Sequence, residues 1–217
     1  HPHRVLLAAD ERGDKCRVLS ATLPVRTSGA WFLRNGETFG LEHGRMDDWA
    51  YLDGGLHAWH GAGLPLSQSP TQAEPGEALN LTINLDAIAE IADFMAALND
   101  DAQVIWDVRS AEEYAGLRSG SARAGHIPGA VNLDWELLKD SGRQLRLVEG
   151  LDGLAASLGL LDADPVITHR QTHHRSGLSY LVGRLLGLHI SADHGSWAEW
   201  GNDPDTPIVN PSETGAL

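Results

Sequence analysis

Residues 168–177 read Thr-His-Arg-Gln-Thr-His-His-Arg-Ser-Gly, placing two arginines and three histidines in a joint between a short apolar run and a helical pattern. A tight loop that opens a helix presents unpaired N–H groups and a partial positive charge, which suits an anion. Arg175 adds a bidentate fork for an oxyanion, and Ser176 with Gly177 lets the backbone turn into the helix. A plainer reading keeps Ser176 as a cap and Arg175 as a solvated charge. His169, His173 and His174, with His126 or His194 nearby, would also suit zinc or copper, but two guanidiniums beside them oppose a metal cation. His173 and His174 read more simply as donors lining an anion pocket. The expectation is a site without metal or cofactor.

The flanking patterns say what must position this joint. Pro165–His169 reads as a strand, and a helix follows with Leu178, Leu181, Val182, Leu185 and Leu186 along one side. Upstream, Asn84 is expected to cap a helix carrying Ile88, Ile91, Ala92, Met95 and Leu98. Then come a strand at 103–108, a short helix at 110–116, a strand at 129–134 and a helix at 150–160. A strand at 188–192 and a short helix at 196–200 close the series. Alternating strands and helices predict right-handed crossovers and a mostly parallel sheet covered on both faces. Sites in such folds lie beyond the carboxyl ends of the strands, which is where the joint falls.

Composition frames the rest. The 217 residues, 42% hydrophobic and 21% charged, fit an ordinary globular protein. The net charge is −14, and residues 71–217 hold 22 acidic against 9 basic groups, so nucleic acid is not an expected partner. Apolar runs stay well short of the roughly 20 residues of a membrane span, and a cytoplasmic location without membrane attachment is the default expectation. The single cysteine, Cys16, permits no intrachain disulfide. Ser, Gln, Pro, Gly and Glu replace apolar periodicity after residue 66, which reads as a linker over 67–80. The expected organisation is a small unit at 1–66, the linker, a main domain at 81–209 and a tail at 210–217. In the small unit, 5–10 reads as a strand and 49–66 as a strand end, a Gly-Gly turn and a short helix; Trp59 is expected in a core.

The segments Asp107–Tyr114 (DVRSAEEY), Gly125–Asn132 (GHIPGAVN), Thr168–Gly177 (THRQTHHRSG) and Gly195–Asn202 (GSWAEWGN) resemble, in order and spacing, the tandem-domain rhodanese family of the thiosulfate:cyanide sulfurtransferase type. Leu52–Pro65 (LDGGLHAWHGAGLP) looks like the end of that family's noncatalytic domain. The resemblance implies an α/β rhodanese-like domain preceded by a second, apparently truncated one, because some 70 residues are too few for a full domain of that kind. Missing strands there would favour self-association. It also implies a loop of the form Cys-x4-Arg whose cysteine takes sulfane sulfur from thiosulfate. A persulfide then sits in a ring of N–H groups, and sulfur passes to cyanide or a thiol acceptor. A thiolate at a helix N-terminus fits that chemistry. By the same resemblance Gln171, Thr172, His173, His174, Arg175 and Ser176 would line the substrate cradle, and Asp107 with Arg109 would brace it.

One residue departs from the pattern. Four places before Arg175 stands Arg170, at the family's nucleophile position. A guanidinium stays protonated near neutral pH and cannot carry a persulfide, so no turnover through this loop is expected. Cys16 lies in a polar, irregular neighbourhood that lacks the electropositive setting of an activated thiolate. The alternative, of a different class, is a noncatalytic module that keeps the fold and uses Arg170 and Arg175 to bind an anion or a protein. Asp107 and Arg109 could equally be a surface ion pair contributing about 0–1 kcal/mol. Trp197 and Trp200 read as packing residues, and His126 as a turn residue whose ring hydrogen-bonds backbone.

Overall fold

A computed structural model describes residues 4–6, 50–66, 84–172 and 177–214. Near the amino terminus, β1 (Arg4–Leu6) pairs in parallel with β2 (Ala50–Leu52), and Gly54 and Gly55, both with positive φ, turn the chain into α1 (Gly55–Gly61). This matches the strand end, Gly-Gly turn and short helix read from the sequence. Trp59 is half-buried rather than in a core, its indole N–H donating to the Pro65 carbonyl.

Apolar runs bounded by turn residues give a five-stranded parallel sheet. Its strands are β3 (Ile88–Ala89), β4 (Val104–Asp107), β5 (Val131–Asn132), β8 (Val166–His169) and β9 (Ile190–Asp193), in the order β3-β9-β8-β4-β5. Between β5 and β8, β6 (Lys139–Asp140) and β7 (Arg146–Leu147) form a small antiparallel hairpin. The helices are α2 (Ile91–Ala97), α3 (Ala111–Tyr114), α4 (Leu151–Ser157), α5 (Gly177–Leu185), α6 (Ser196–Trp200) and α7 (Pro211–Thr214). The α/β class and parallel sheet expected from the sequence are therefore present. No helix among the described residues is long and apolar enough to cross a membrane.

Because successive strand residues point to opposite faces, β3, β4 and β8 divide their side chains between two cores. Trp106, Val166, Ile190 and Ala192 join Leu138, Ala155, Leu160, Tyr180 and Val182 on one face. Ile105 and Ile167 join Phe94, Ala97, Ile127, Trp197 and Trp200 on the other. The two tryptophans of α6 are 0–1% exposed, as expected of packing residues.

One element differs from its sequence reading. Asn84 does cap, its side chain accepting from the Asp86 N–H, but what it caps is a single 3-10 turn, Leu85–Ala87. The chain then extends as β3 to pair with β9, and α2 begins only after Glu90, whose N–H donates to Asp93 while its own side chain accepts from the Asp93 N–H. The helical stripe is consequently shifted: Phe94 and Ala97 are buried, whereas Met95 is 41% exposed. Edge pairing at Ile88 and Ala89 outweighed the helical period that Ile88 could have served.

Candidate functional site

The joint lies where the topology places it, at the carboxyl end of the central strand β8. Arg170 follows β8 directly and is 8% exposed; His173, His174, Arg175 and Ser176 lie outside the described residues. Two backbone bonds hold the first residues of the loop. The Trp197 N–H donates to the Arg170 carbonyl at 2.7 Å and the Ala198 N–H to the Gln171 carbonyl at 2.9 Å. The opening N–H groups of α6, which no helical carbonyl can satisfy, thus serve the loop. Gln171 also donates from Nε2 to Ser121 Oγ at 3.1 Å, and Ser121 Oγ in turn donates to the Trp197 carbonyl at 3.0 Å. On the helical side, Thr168 and Ser179 share a 2.7 Å hydroxyl hydrogen bond that ties β8 to the first turns of α5.

Beneath this loop sits a buried ionic cluster. The Arg109 side chain donates from Nε to both Asp107 oxygens, at 3.0 and 3.1 Å, and from Nη2 to Oδ2 at 2.5 Å, with both side chains at 0% exposure. The surface-pair alternative is thereby corrected, and a buried fork of this kind is costly to break. Arg109 Nη2 also donates to the Gly125 carbonyl at 2.8 Å, and its guanidinium lies 4.0 Å from the Trp197 ring centre. One side chain therefore joins the DVR segment, the GHIPGA turn and α6. His126 stacks flat on Tyr114, ring centres 3.7 Å apart, with Nδ1 2.8 Å from the Tyr114 carbonyl, as its turn role anticipated.

His169 belongs to the same cluster. It is fully buried, its Nε2 lies 3.6 Å from Asp107 Oδ2, and its ring meets the Phe94 edge at 5.7 Å. Burial pushes its imidazole down to about 4, against the pull of Asp107 and with the added repulsion of Arg109. At neutral pH it is therefore uncharged. For Asp107, burial alone acts to raise the pKa, but positive charge on His169 and Arg109 with the hydrogen bonds from Arg109 overcomes it and holds the carboxyl below its usual range. Since His169 is neutral at pH 7, Arg109 carries that interaction there. In β9, burial pushes the Asp193 carboxyl up to about 7, opposed by the Ser196 and Gly195 N–H groups and reinforced by Glu199 and Glu90.

Beside the loop a pocket is lined by Glu113, Arg118, Ser119, Gly120, Arg170, Gln171 and Thr172. Arg118 pairs with Glu113 at 3.6 Å and donates to Ser110 Oγ at 3.0 Å. The Arg170 guanidinium carbon lies 4.9 Å from the Trp135 ring centre, and the Lys139 ammonium lies 3.6 Å from the same ring. Arg118, Trp135 and Lys139 were not legible as site residues, because each stands in a segment without periodicity or motif of its own. The position of Trp135, three residues beyond the GHIPGAVN segment, was the one available hint. Of the residues expected to act together, Arg170, Gln171 and Thr172 share the pocket, whereas Asp107 and Arg109 support it from below.

Comparison with known proteins accords with this geometry. A family model described as the rhodanese-like domain matches residues 90–203. The chain is 41% identical over 159 residues to a thiosulfate sulfurtransferase of Azotobacter vinelandii, covering 73% of this chain and 58% of that protein. It is 29% identical over 183 residues to a 3-mercaptopyruvate sulfurtransferase of Escherichia coli K12, covering 82% of this chain and 61% of that protein. The chain thus spans about three-fifths of the length of these relatives. A solved structure of the anaerobic ergothioneine biosynthesis enzyme from Chlorobium limicola, in complex with trimethyl histidine, aligns with a TM-score of 0.71 at 23% identity. It covers 84% of this chain and 45% of that one, a likeness of fold. With more than half of its residues matched, and with the four motif segments meeting around β8, the chain belongs to the rhodanese-like domain family.

Proposed function

We propose that this chain carries the sulfur-handling site of a rhodanese-type thiosulfate sulfurtransferase at residues 170–175, silenced as written by Arg170. The observation that carries the reading is the place of Arg170: directly beyond β8, with its carbonyl held by α6 and its side chain at the wall of the pocket. In a competent loop, a thiolate at that place attacks the sulfane sulfur of thiosulfate, the S–S bond breaks, and sulfite leaves. Cyanide or a thiol acceptor then takes the outer sulfur of the persulfide and restores the thiolate. A guanidinium offers no lone pair for the first step near neutral pH.

The retained capability is recognition. Arg118 and Arg170 line one pocket and Arg175 follows in sequence, so local positive charge stands against the −14 of the whole chain. Thiosulfate or sulfate is the ligand this chemistry favours, bound without turnover. Titration calorimetry of the full chain with sodium thiosulfate tests it. Saturable binding that weakens with added salt and with Arg118→Ala supports the proposal, and absence of binding at millimolar thiosulfate overturns the recognition half of it.

A further inference from the structure

Residues 50–66 meet the rest of the chain at a buried carboxylate. Asp53 is 5% exposed, and its Oδ1 accepts the Leu147 N–H at 2.8 Å. Across the hairpin, Leu147 is the register partner of Lys139. The Lys139 ammonium lies 3.6 Å from the Trp135 ring centre, and the Arg170 guanidinium 4.9 Å from that same ring. Four contacts in series therefore connect Asp53 to position 170.

The surroundings make this route stiff. Tyr51 packs against the core that contains Leu138 and Leu147, and burial, with Asp53 beside it, pushes its phenol up to about 12. A Cβ added at Gly54 would come within 2.8 Å of the Gln144 carbonyl and 3.0 Å of Arg146 Cγ, so the start of α1 lies directly on the hairpin turn. That turn holds Gln144 and Leu145 both at positive φ, 60° and 61°. At the far end, two cations share one indole, and the Lys139 ammonium is held beside it by Glu136 Oε2 at 2.7 Å. Where the hairpin sets Lys139 therefore limits where the Arg170 guanidinium can rest.

We infer that Asp53 is a positioning residue for position 170, acting through the Leu147 N–H, the β6–β7 hairpin, Lys139 and Trp135. The positioning itself does not require the pocket to bind an anion; only its consequence for thiosulfate affinity rests on the function proposed above.

The test uses the full chain labelled with 5-fluorotryptophan and read by fluorine NMR, the Trp135 signal being identified by its loss in Trp135→Phe. Asp53→Ala is expected to shift or broaden the Trp135 signal. Asp53→Asn, which keeps an oxygen for the Leu147 N–H, is expected to leave it in place. Lys139→Met, at a residue near the surface, is expected to shift it while leaving Trp59 unmoved. Changes confined to Trp59 in Asp53→Ala, or an unmoved Trp135 in Lys139→Met, overturn the inference. If Asp53→Ala does not fold, Asp53→Leu fills a similar volume without an acceptor and is read by the same two outcomes. A moved Trp135 signal with unchanged thiosulfate affinity upholds the positioning and counts against the anion reading alone.

Discussion

The carbonyl oxygen of Arg170 accepts the Trp197 N–H at 2.7 Å. No side-chain atom of residue 170 takes part in that bond, so the backbone at the head of the loop is held in a way that survives a change of side chain. The neighbouring bond from Ala198 to Gln171 repeats the arrangement. The seating of residues 170 and 171 therefore does not depend on which side chain stands at 170, which separates the scaffold at the head of the loop from the chemistry proposed for it.

Breaking the buried fork should be severe. Replacing Arg109 by Met strands the Asp107 carboxylate at 0% exposure, and loss of one partner from a buried pair costs about 3–5 kcal/mol. For a chain of this size that corresponds to a Tm lower by roughly 10 °C. Arg109→Lys should recover only part of the loss, because an ammonium cannot reproduce the two-pronged contact with Asp107 while also reaching the Gly125 carbonyl. Urea unfolding of the three proteins measures both effects.

Stability should respond to pH in two opposed ways. The folded pKa of His169, about 4 against an ordinary 6.5, means that the unfolded chain binds the extra proton between those values, so this contribution is lost as pH falls through that window. Asp193, at about 7 against an ordinary 3.8, binds its proton in the folded chain instead, so its contribution is lost as pH rises from about 4 to 7. The two largely offset each other near pH 5–6. Asp193→Asn removes one of them, and relative to the parent it should gain about 2 kcal/mol more stability at pH 8 than at pH 5. An equal effect at both values would contradict the assignment of a protonated, buried Asp193.

Gly125→Ala tests the turn that Arg109 holds. Gly125 has φ +114°, and an added Cβ would collide with the Val209 carbonyl, which accepts the His126 N–H at 2.9 Å. Strain and collision together should cost at least about 2 kcal/mol and open the His126–Val209 bridge. The check is thermal unfolding alongside amide exchange at His126.

The strands were legible because Val104–Asp107, Val166–His169 and Ile190–Asp193 are short apolar runs between turn residues. The motif segments were legible for a different reason, their resemblance to a known family; contacts such as Arg109 reaching the Gly125 carbonyl became visible only in the structure. The start of α2 was not legible, since Ile88 fits a helical stripe as well as an edge strand, and only pairing with β9 decides between them. The β6–β7 hairpin escaped because two-residue strands such as Lys139–Asp140 are too short to show a period. Burial of Asp107 and Arg109 could not be read either, as charged residues are ordinarily exposed and sequence carries no sign of the layer that covers them. The approach of Arg170 to Trp135 depends on tertiary placement across more than 30 residues of chain, whereas Lys139 reaches the same ring from four residues along.

The most direct measurement is thiocyanate production from thiosulfate and cyanide, run in parallel on this chain and on Arg170→Cys. No turnover is expected from the parent and turnover from the variant, because the backbone bonds that seat residues 170 and 171 do not depend on the side chain at 170, and a thiolate there would supply the nucleophile of the proposed reaction. Turnover by the parent, or none by a folded variant, would contradict the proposal.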